Sequence, residues 1–137
     1  MEGSYISVMS VPVSDPDAAK LFYTDVLGMD VVRDDRDVRL RWIMLRPAAG
    51  QACITLVTWF ESMPMGSLRG TVLAVPDIEE AVASLRAKGA LDEDEEILEA
   101  PWGRYVTVED PDGNGWIIQQ NAEPDSSQLN GRLSADG

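Results

Sequence analysis

The chain contains no histidine among its 137 residues, and this absence limits the chemistry available to it. Histidine is the commonest metal ligand and the usual acid–base group near neutral pH. A Ser-His-Asp arrangement is therefore impossible, and the sequence also contains no glycine-rich phosphate loop and no zinc-ligand spacing. Any catalytic mechanism would have to use other groups.

Cysteine and long apolar runs are also scarce. Cys53 is the only cysteine, so an intrachain disulfide is excluded. Because no histidine can activate it, we interpret Cys53 as a core or pocket thiol and not as a nucleophile. No apolar run has the length of a membrane span, and the N-terminus lacks the basic and apolar regions of a signal peptide. We therefore predict a cytoplasmic protein without a membrane partner.

Basic residues are few: 11 stand against 24 acidic residues, which gives a formal net charge of −13. A nucleic-acid-binding surface needs a basic patch, so this balance argues against nucleic acid as a partner. The acidity provides solubility, and it could also attract a cationic ligand. Residues 92–96 are five consecutive acids; we interpret them as a solvated loop, with a cation-attracting rim as the alternative.

What is present is a pattern that occurs twice. Val13 and Asp15 recur as Val75 and Asp77, at the same separation of 62 positions. In each copy the aspartate can cap a helix, and Gly28 or Gly89 can end it. The apolar residues that follow each cap fall on one helical face: Ala19, Phe22, Tyr23 and Val26 in the first copy, and Ile78, Ala81, Val82 and Leu85 in the second.

Three strands are predicted after each helix. Turn-forming residues at 33–37, 47–50 and 110–115 separate them. The predicted strands cover residues 30–33, 39–46 and 52–58 in the first half and 96–98, 104–109 and 116–120 in the second. We expect one domain over residues 1–121, made of module one (5–60), a linker and module two (68–121). The polar residues 122–137 are predicted to be a disordered tail.

This arrangement resembles the vicinal oxygen chelate superfamily, which includes glyoxalases, extradiol dioxygenases and bleomycin-resistance proteins. The residues that carry the resemblance are Val13-Ser14-Asp15, Phe22-Tyr23, Val26-Leu27-Gly28, Arg41-Trp42 and the segment Asp110-Pro111-Asp112-Gly113-Asn114-Gly115-Trp116. The resemblance covers residues 5–121. It implies an α+β fold in which tandem βαβββ modules form a curled mixed sheet around a central cleft. It also implies a homodimer.

Metal-dependent members of this superfamily carry ligands on the first and last strands of each half. The resemblance places these positions at Val8, Thr55, Gly70 and Ile118, with an uncertainty of one residue in the last strand. These residues offer one hydroxyl and no imidazole or carboxylate, whereas a tight divalent site needs several convergent N, O or S donors. We therefore expect no metal and no cofactor.

Strand alternation from Val8 predicts which side chains face the cleft. Met9, Val11, Val13, Ile54 and Leu56 would then face the helices, and Cys53 and Val57 the cleft. Trp42 and Trp116 could be core residues or a stacking wall for a ligand, and Gly70 could leave room in the cleft or mark a bulge. The predicted ligand-binding set is Val8, Ser10, Trp42, Thr55, Trp59, Gly70, Val72, Trp102, Tyr105, Trp116, Ile118 and Gln120.

These expectations favour a metal-independent protein that binds a small aromatic or cationic organic molecule, as bleomycin-resistance proteins do. The first alternative is a lyase, isomerase or oxidoreductase of the same superfamily with a non-standard site. The second is a degenerate module that only mediates protein contacts. An apolar cleft with a few neutral polar groups is typical of small-molecule sites, which is why binding is preferred. No catalytic residue is predicted.

Overall fold

The structure is a computed structural model that describes residues 1–36, 41–50 and 52–122. Eight strands form two four-stranded sheets, with strand orders β1-β4-β3-β2 and β5-β8-β7-β6. The first module consists of β1 (Val8–Pro12), α1 (Pro16–Leu21), β2 (Asp30–Asp35), β3 (Trp42–Arg46) and β4 (Cys53–Val57). The second consists of β5 (Thr71–Ala74), α2 (Ile78–Ala87), β6 (Leu98–Ala100), β7 (Gly103–Glu109) and β8 (Gly115–Asn121). The α+β fold of tandem βαβββ modules is thus confirmed.

The helix ends form as the sequence predicts. The Asp15 carboxylate accepts hydrogen bonds from the backbone amides of Asp17 and Ala18 at 3.0 and 3.3 Å, and Asp77 caps α2 in the same way. Gly28 and Gly89 have φ angles of 68° and 75°, in the left-handed region that glycine enters readily. The first helix differs from the prediction in one respect, since Phe22–Val26 continues α1 as a π-helical turn.

The strands differ from the prediction mainly at their ends. The third strand was predicted to begin at residue 39 and begins at Trp42 among the described residues, because residues 37–40 lie outside them. The predicted strand at 96–98 is instead Leu98–Ala100, whose end pairs with Gly103 across a short turn. The predicted tail lies outside the described residues from residue 123 onward, and its disorder stays a prediction.

Both modules bury their helix-facing surfaces in one shared core. Parallel pairing of β1 with β4 aligns Val11 with Leu56, and parallel pairing of β5 with β8 aligns Leu73 with Ile118. All four contribute to a single apolar cluster that also includes both helices. The two sheets therefore meet through their helix sides, and their other faces lie outside this cluster.

A buried polar network crosses this core. Tyr23 Oη donates to Asp110 Oδ2 at 2.8 Å, and Trp116 Nε1 donates to Tyr23 Oη at 2.8 Å. Asn114 Nδ2 donates both to Asp110 Oδ2 and to the Pro12 carbonyl, at 2.7 and 2.8 Å. Burial, followed by the Asp110 carboxylate, raises the pKa of Tyr23 well above its usual range. The network joins the π-helical turn and β1 to the turn before β8.

The linker between the modules is held against the same turn. Gly66 has a φ of 79°, and a Cβ atom there would lie 2.2 Å from the Asp112 carbonyl oxygen. The Leu68 amide donates to Asn114 Oδ1 at 3.0 Å, and the Gly115 amide donates to the Leu68 carbonyl at 2.9 Å. Only glycine fits at position 66 without moving this backbone.

Candidate ligand-binding faces

The outer face of the first sheet carries most of the predicted site residues of module one. Register places Ser10, Thr55 and Met44 side by side on three strands, and the hydroxyls of Ser10 and Thr55 lie 3.4 Å apart. By strand alternation Val8, Cys53 and Trp42 lie on the same face, opposite to the core residues Val11, Ile54 and Ile43. We call the surface formed by Val8, Ser10, Trp42, Met44, Cys53 and Thr55 the first-module face.

Two tryptophans predicted for the site stack against each other at this face. The ring centroids of Trp42 and Trp59 are 6.2 Å apart and their planes differ by 24°. Phe60 packs against Trp59, with 6.0 Å between the ring centroids. Both indoles remain partly exposed. Core packing, the alternative for Trp42, does not apply, because its strand neighbour Ile43 takes the core position.

An ion pair lies beside this aromatic pair and was not predicted as part of the site. Asp35 is the strand partner of Trp42, and Arg33 is the partner of Met44. Arg33 Nε bonds Asp35 Oδ2 at 2.5 Å. A shift of register between Val31 and Arg33 places both charges on the outer face, and such a β-bulge has no clear signal in a charged strand. The first-module face is therefore flanked by a paired cation and carboxylate.

On the opposite face of β2, charged side chains form a second cluster, which connects parts of the fold. Asp34 accepts hydrogen bonds from Lys20 Nζ at 2.8 Å and from Arg41 Nε and Nη2 at 3.2 and 3.1 Å. Arg41, followed by Lys20, lowers the pKa of the Asp34 carboxyl well below its usual range. Arg41 also bonds Asp17 at 2.7 Å, so this cluster ties α1 to β2.

The outer face of the second sheet is a separate surface. Val72 pairs with Ile117 and Ile117 with Thr107, while Gln119 pairs with Tyr105, and Tyr105 with Leu98. Val72 and Leu98 are 46% and 51% exposed, although both are large apolar residues. We call the surface formed by Val72, Leu98, Tyr105, Thr107, Ile117 and Gln119 the second-module face.

Three predicted cleft residues do not lie on this face. Trp116 and Ile118 belong to the shared core, and the side-chain oxygen Oε1 of Gln120 accepts a hydrogen bond from the Ile78 amide at the start of α2, at 2.9 Å. The structure therefore does not place Trp116, Ile118 and Gln120 on the predicted cleft face, and Trp116 packs in the core. Their assignment as ligand contacts stays a prediction. The side chains that face outward from β8 are Ile117 and Gln119.

Gly70 and Trp102 lie near the second-module face without belonging to its strands. Gly70 precedes β5 with a φ of 79°, and a Cβ atom added there would meet no other atom within 4 Å. Its backbone conformation, not steric space, therefore requires glycine. Trp102 lies in the turn between β6 and β7 and is 64% exposed.

The positions that correspond to metal ligands provide few donor atoms. Strand alternation replaces Ile118 by Ile117 as the outward residue of the last strand. Val8, Gly70 and Ile117 carry no side-chain donor, and Thr55 contributes one hydroxyl, already close to Ser10. Within residues 1–36, 41–50 and 52–122, no three histidine, cysteine, aspartate or glutamate side chains lie together as a metal cluster would require.

Comparison with known proteins gives consistent results. Residues 5–118 match the family model of the Glyoxalase/Bleomycin resistance protein/Dioxygenase superfamily. The structure of TnmS3, an antibiotic binding protein from Streptomyces sp. CB03234, is 37% identical and superposes with a TM-score of 0.82 over 89% of this chain and 99% of that one. A glyoxalase/bleomycin resistance protein from the same strain is also 37% identical, with a TM-score of 0.76 over 85% and 100%.

A member of the same superfamily from Sphaerobacter thermophilus DSM 20745 is 28% identical, with a TM-score of 0.77 over 88% of this chain and 99% of that one. Among curated proteins, none matches this chain significantly. None of the helices in the described part of the chain has the length and apolarity needed to cross a membrane.

Proposed function

Because the chain belongs to the Glyoxalase/Bleomycin resistance protein/Dioxygenase superfamily, we propose that it binds a small aromatic or cationic organic molecule without a metal ion. The observation that carries this proposal is the Trp42–Trp59 stack at the first-module face, where two indoles are kept partly accessible. Aromatic faces of this kind bind flat rings and organic cations. Sequestration of such a compound is the activity that these surfaces support best.

The chemistry of the two faces supports binding more than catalysis. Their partly exposed uncharged polar groups, Ser10 and Tyr105, can orient a ligand by hydrogen bonds. The superfamily's ligand positions carry Val8, Thr55, Gly70 and Ile117, which offer a single hydroxyl to a cation. The similarity to TnmS3, described as an antibiotic binding protein, supports the same class of function at 37% identity.

A homodimer would complete the binding cleft. The two faces belong to different sheets of the chain, which share a core on their helix sides, so we propose that each needs a second surface to enclose a ligand. In a twofold dimer, the first-module face of one protomer can oppose the second-module face of its partner, and the same contact forms twice. The exposed Val72, Leu98 and Trp102 support this arrangement, because apolar side chains at a surface favour burial by a second chain. A cytoplasmic location remains part of the proposal.

Isothermal titration calorimetry tests the binding function. The panel contains a cationic glycopeptide antibiotic such as bleomycin, cationic aromatic antibiotics, and uncharged aromatic compounds such as 2-naphthol. We expect at least one aromatic or cationic compound to bind, with unchanged affinity after exhaustive chelation of divalent metals. The proposal fails if no compound in the panel binds. Stoichiometric zinc, nickel, manganese or iron in the purified protein would instead favour the enzymatic alternative.

Analytical ultracentrifugation tests the dimer. Val72→Asp places a charge on the second-module face and should weaken the dimer at least tenfold, since a charge at an apolar interface is desolvated without a partner. Leu21→Asp is the matched control, because Leu21 is also exposed and apolar but lies on α1. Equal dimerisation of both variants, or a monomeric wild-type protein, would contradict the proposed interface.

A further inference from the structure

A small recess opens beside the aromatic pair, in the segment that follows β4. It has a volume of about 280 Å³ and is lined by residues 57–61 and 63–65. Small-molecule sites usually measure about 300–1,000 Å³. The recess is therefore large enough for one group of a ligand and too small to enclose a drug-sized molecule.

The lining of this recess combines aromatic, thioether and carboxylate groups. Trp59 and Phe60 both line the recess; their ring centroids are 6.0 Å apart and the ring planes are inclined at 52° to each other. Met63 and Met65 add polarisable sulfur, and Glu61 adds the single charge of the lining. Among the described residues, no basic side chain lies within 4.0 Å of the Glu61 carboxylate.

We propose that this recess is a subsite for an organic ammonium group, preferably a methylated one. Two aromatic walls and a carboxylate are the combination that recognises such cations, because the ring faces and the anion both attract positive charge while the methyl groups contact apolar surface. The net charge of −13 adds a long-range attraction for a cation. An anionic group would be repelled by Glu61, and a neutral group would lack the charge attraction that a cation gains from it.

The subsite rests on the proposed binding function and specifies its ligand further. Trp59 takes part both in the stack with Trp42 and in the wall of the recess. One molecule with a flat ring against the tryptophan pair and an ammonium group in the recess would use both. The proposed ligand is then a single compound that contains both an aromatic ring and a cationic amine.

Choline and 3,3-dimethylbutan-1-ol provide the test, because they have the same shape and differ in charge. Each is titrated at constant ionic strength into wild-type protein, and the indole NH signals are followed by ¹⁵N NMR. We expect choline to shift the Trp59 signal with saturable binding at least fivefold tighter than that of the neutral alcohol. Equal binding of the two compounds, or no choline binding in the millimolar range, would overturn the subsite.

Two variants and a matched control test whether choline binds in the recess. Glu61→Gln should weaken choline binding about threefold to tenfold, and Phe60→Leu about fivefold, as expected for one exposed charge and one aromatic wall. Glu93→Gln removes an exposed carboxylate outside the recess and should leave the affinity unchanged. A loss in Glu93→Gln equal to that in Glu61→Gln would show general charge attraction and would contradict the subsite.

The outcome is separable from that of the proposed function. If uncharged aromatic compounds bind the protein and choline does not, the ammonium subsite is wrong and the binding function stands. If neither the antibiotic panel nor choline binds, both proposals fail.

Discussion

The phenol of Tyr23, in the first module, donates a hydrogen bond to the carboxylate of Asp110, in the second, with 2.8 Å between Oη and Oδ2. The same phenol oxygen accepts a hydrogen bond from Trp116 Nε1. Both residues are almost completely buried, and so is Trp116. This one hydroxyl therefore provides the acceptor for the buried Trp116 NH and one of the two side-chain donors to Asp110 Oδ2, the other being Asn114 Nδ2.

Tyr23→Phe should destabilise the protein by about 1–3 kcal/mol, because it leaves the buried Trp116 NH without an acceptor and removes a donor from Asp110. Urea unfolding followed by far-UV circular dichroism measures the difference. Tyr5→Phe is the control, since Tyr5 is exposed, and should change stability by less than about 0.5 kcal/mol. Similar losses in both variants would mean that the network contributes little.

Alkaline pH should remove this contribution. The pKa of Tyr23 is raised above its usual value of 10.0 by burial and by Asp110, so the folded state keeps the proton that the unfolded state releases. The stabilisation is complete below pH 10 and decreases as the pH rises above it, by up to about 1.4 kcal/mol per pH unit. Urea unfolding of wild-type and Tyr23→Phe between pH 8 and 11 should therefore show converging stabilities. A constant difference would contradict the shift.

Low pH should weaken the stabilisation that the charged cluster at Asp34 provides. Arg41 and Lys20 lower its pKa, so their stabilisation is complete above the usual carboxyl value of 3.8 and is lost as the pH falls below it. Asp34→Asn should cost about 1–2 kcal/mol at pH 7, from the weakened bonds to two cations, and much less at pH 2.5. Asp30→Asn, at an exposed site on the same strand, should cost little at either pH. A pH-independent loss in Asp34→Asn would indicate a packing effect instead.

Trp59→Leu should weaken binding of an aromatic compound about tenfold, because it removes one half of the stacked pair while keeping an apolar side chain. Stability should change by less than about 1 kcal/mol, since Trp59 lies outside the shared core. Calorimetry with the tightest compound of the panel measures the affinity, and Tyr5→Leu serves as the control. An unchanged affinity would place the ligand elsewhere on the protein.

The repeated pattern predicted the helices, their caps and the module order because each depends on local chemistry. Asp15 and Asp77 cap whatever helix follows them, and Gly28 and Gly89 end it regardless of the tertiary fold. In β1 and β4 the alternation of Ser10 with Val11 and of Thr55 with Leu56 also identified Val11 and Leu56 as core residues. These parts of the prediction needed no long-range information.

The orientation of β8 could not be predicted in the same way. Trp116, Ile117 and Ile118 are apolar in succession, so alternation gives no signal for which side faces the core. The neighbouring strand β5 indicates which side of β8 faces the core. Leu73 pairs with Ile118, and Leu73 corresponds in the repeat to the core residue Val11. Comparing the partner strand would have shifted the outward residues to Ile117 and Gln119. The ion pair of Arg33 with Asp35 depends on a bulge, which only the structure reveals.

The separation of core and outer faces has a consequence for how this protein could diversify. Stability depends on inward-facing side chains such as Tyr23 and Trp116. The proposed ligand contacts Trp42 and Tyr105 lie instead on the outer faces of the two sheets. Substitutions on the outer faces can therefore accumulate without weakening the scaffold. A library randomised at the partly exposed positions Ser10, Trp42 and Tyr105 should retain mostly folded proteins while its members differ in the compounds they capture.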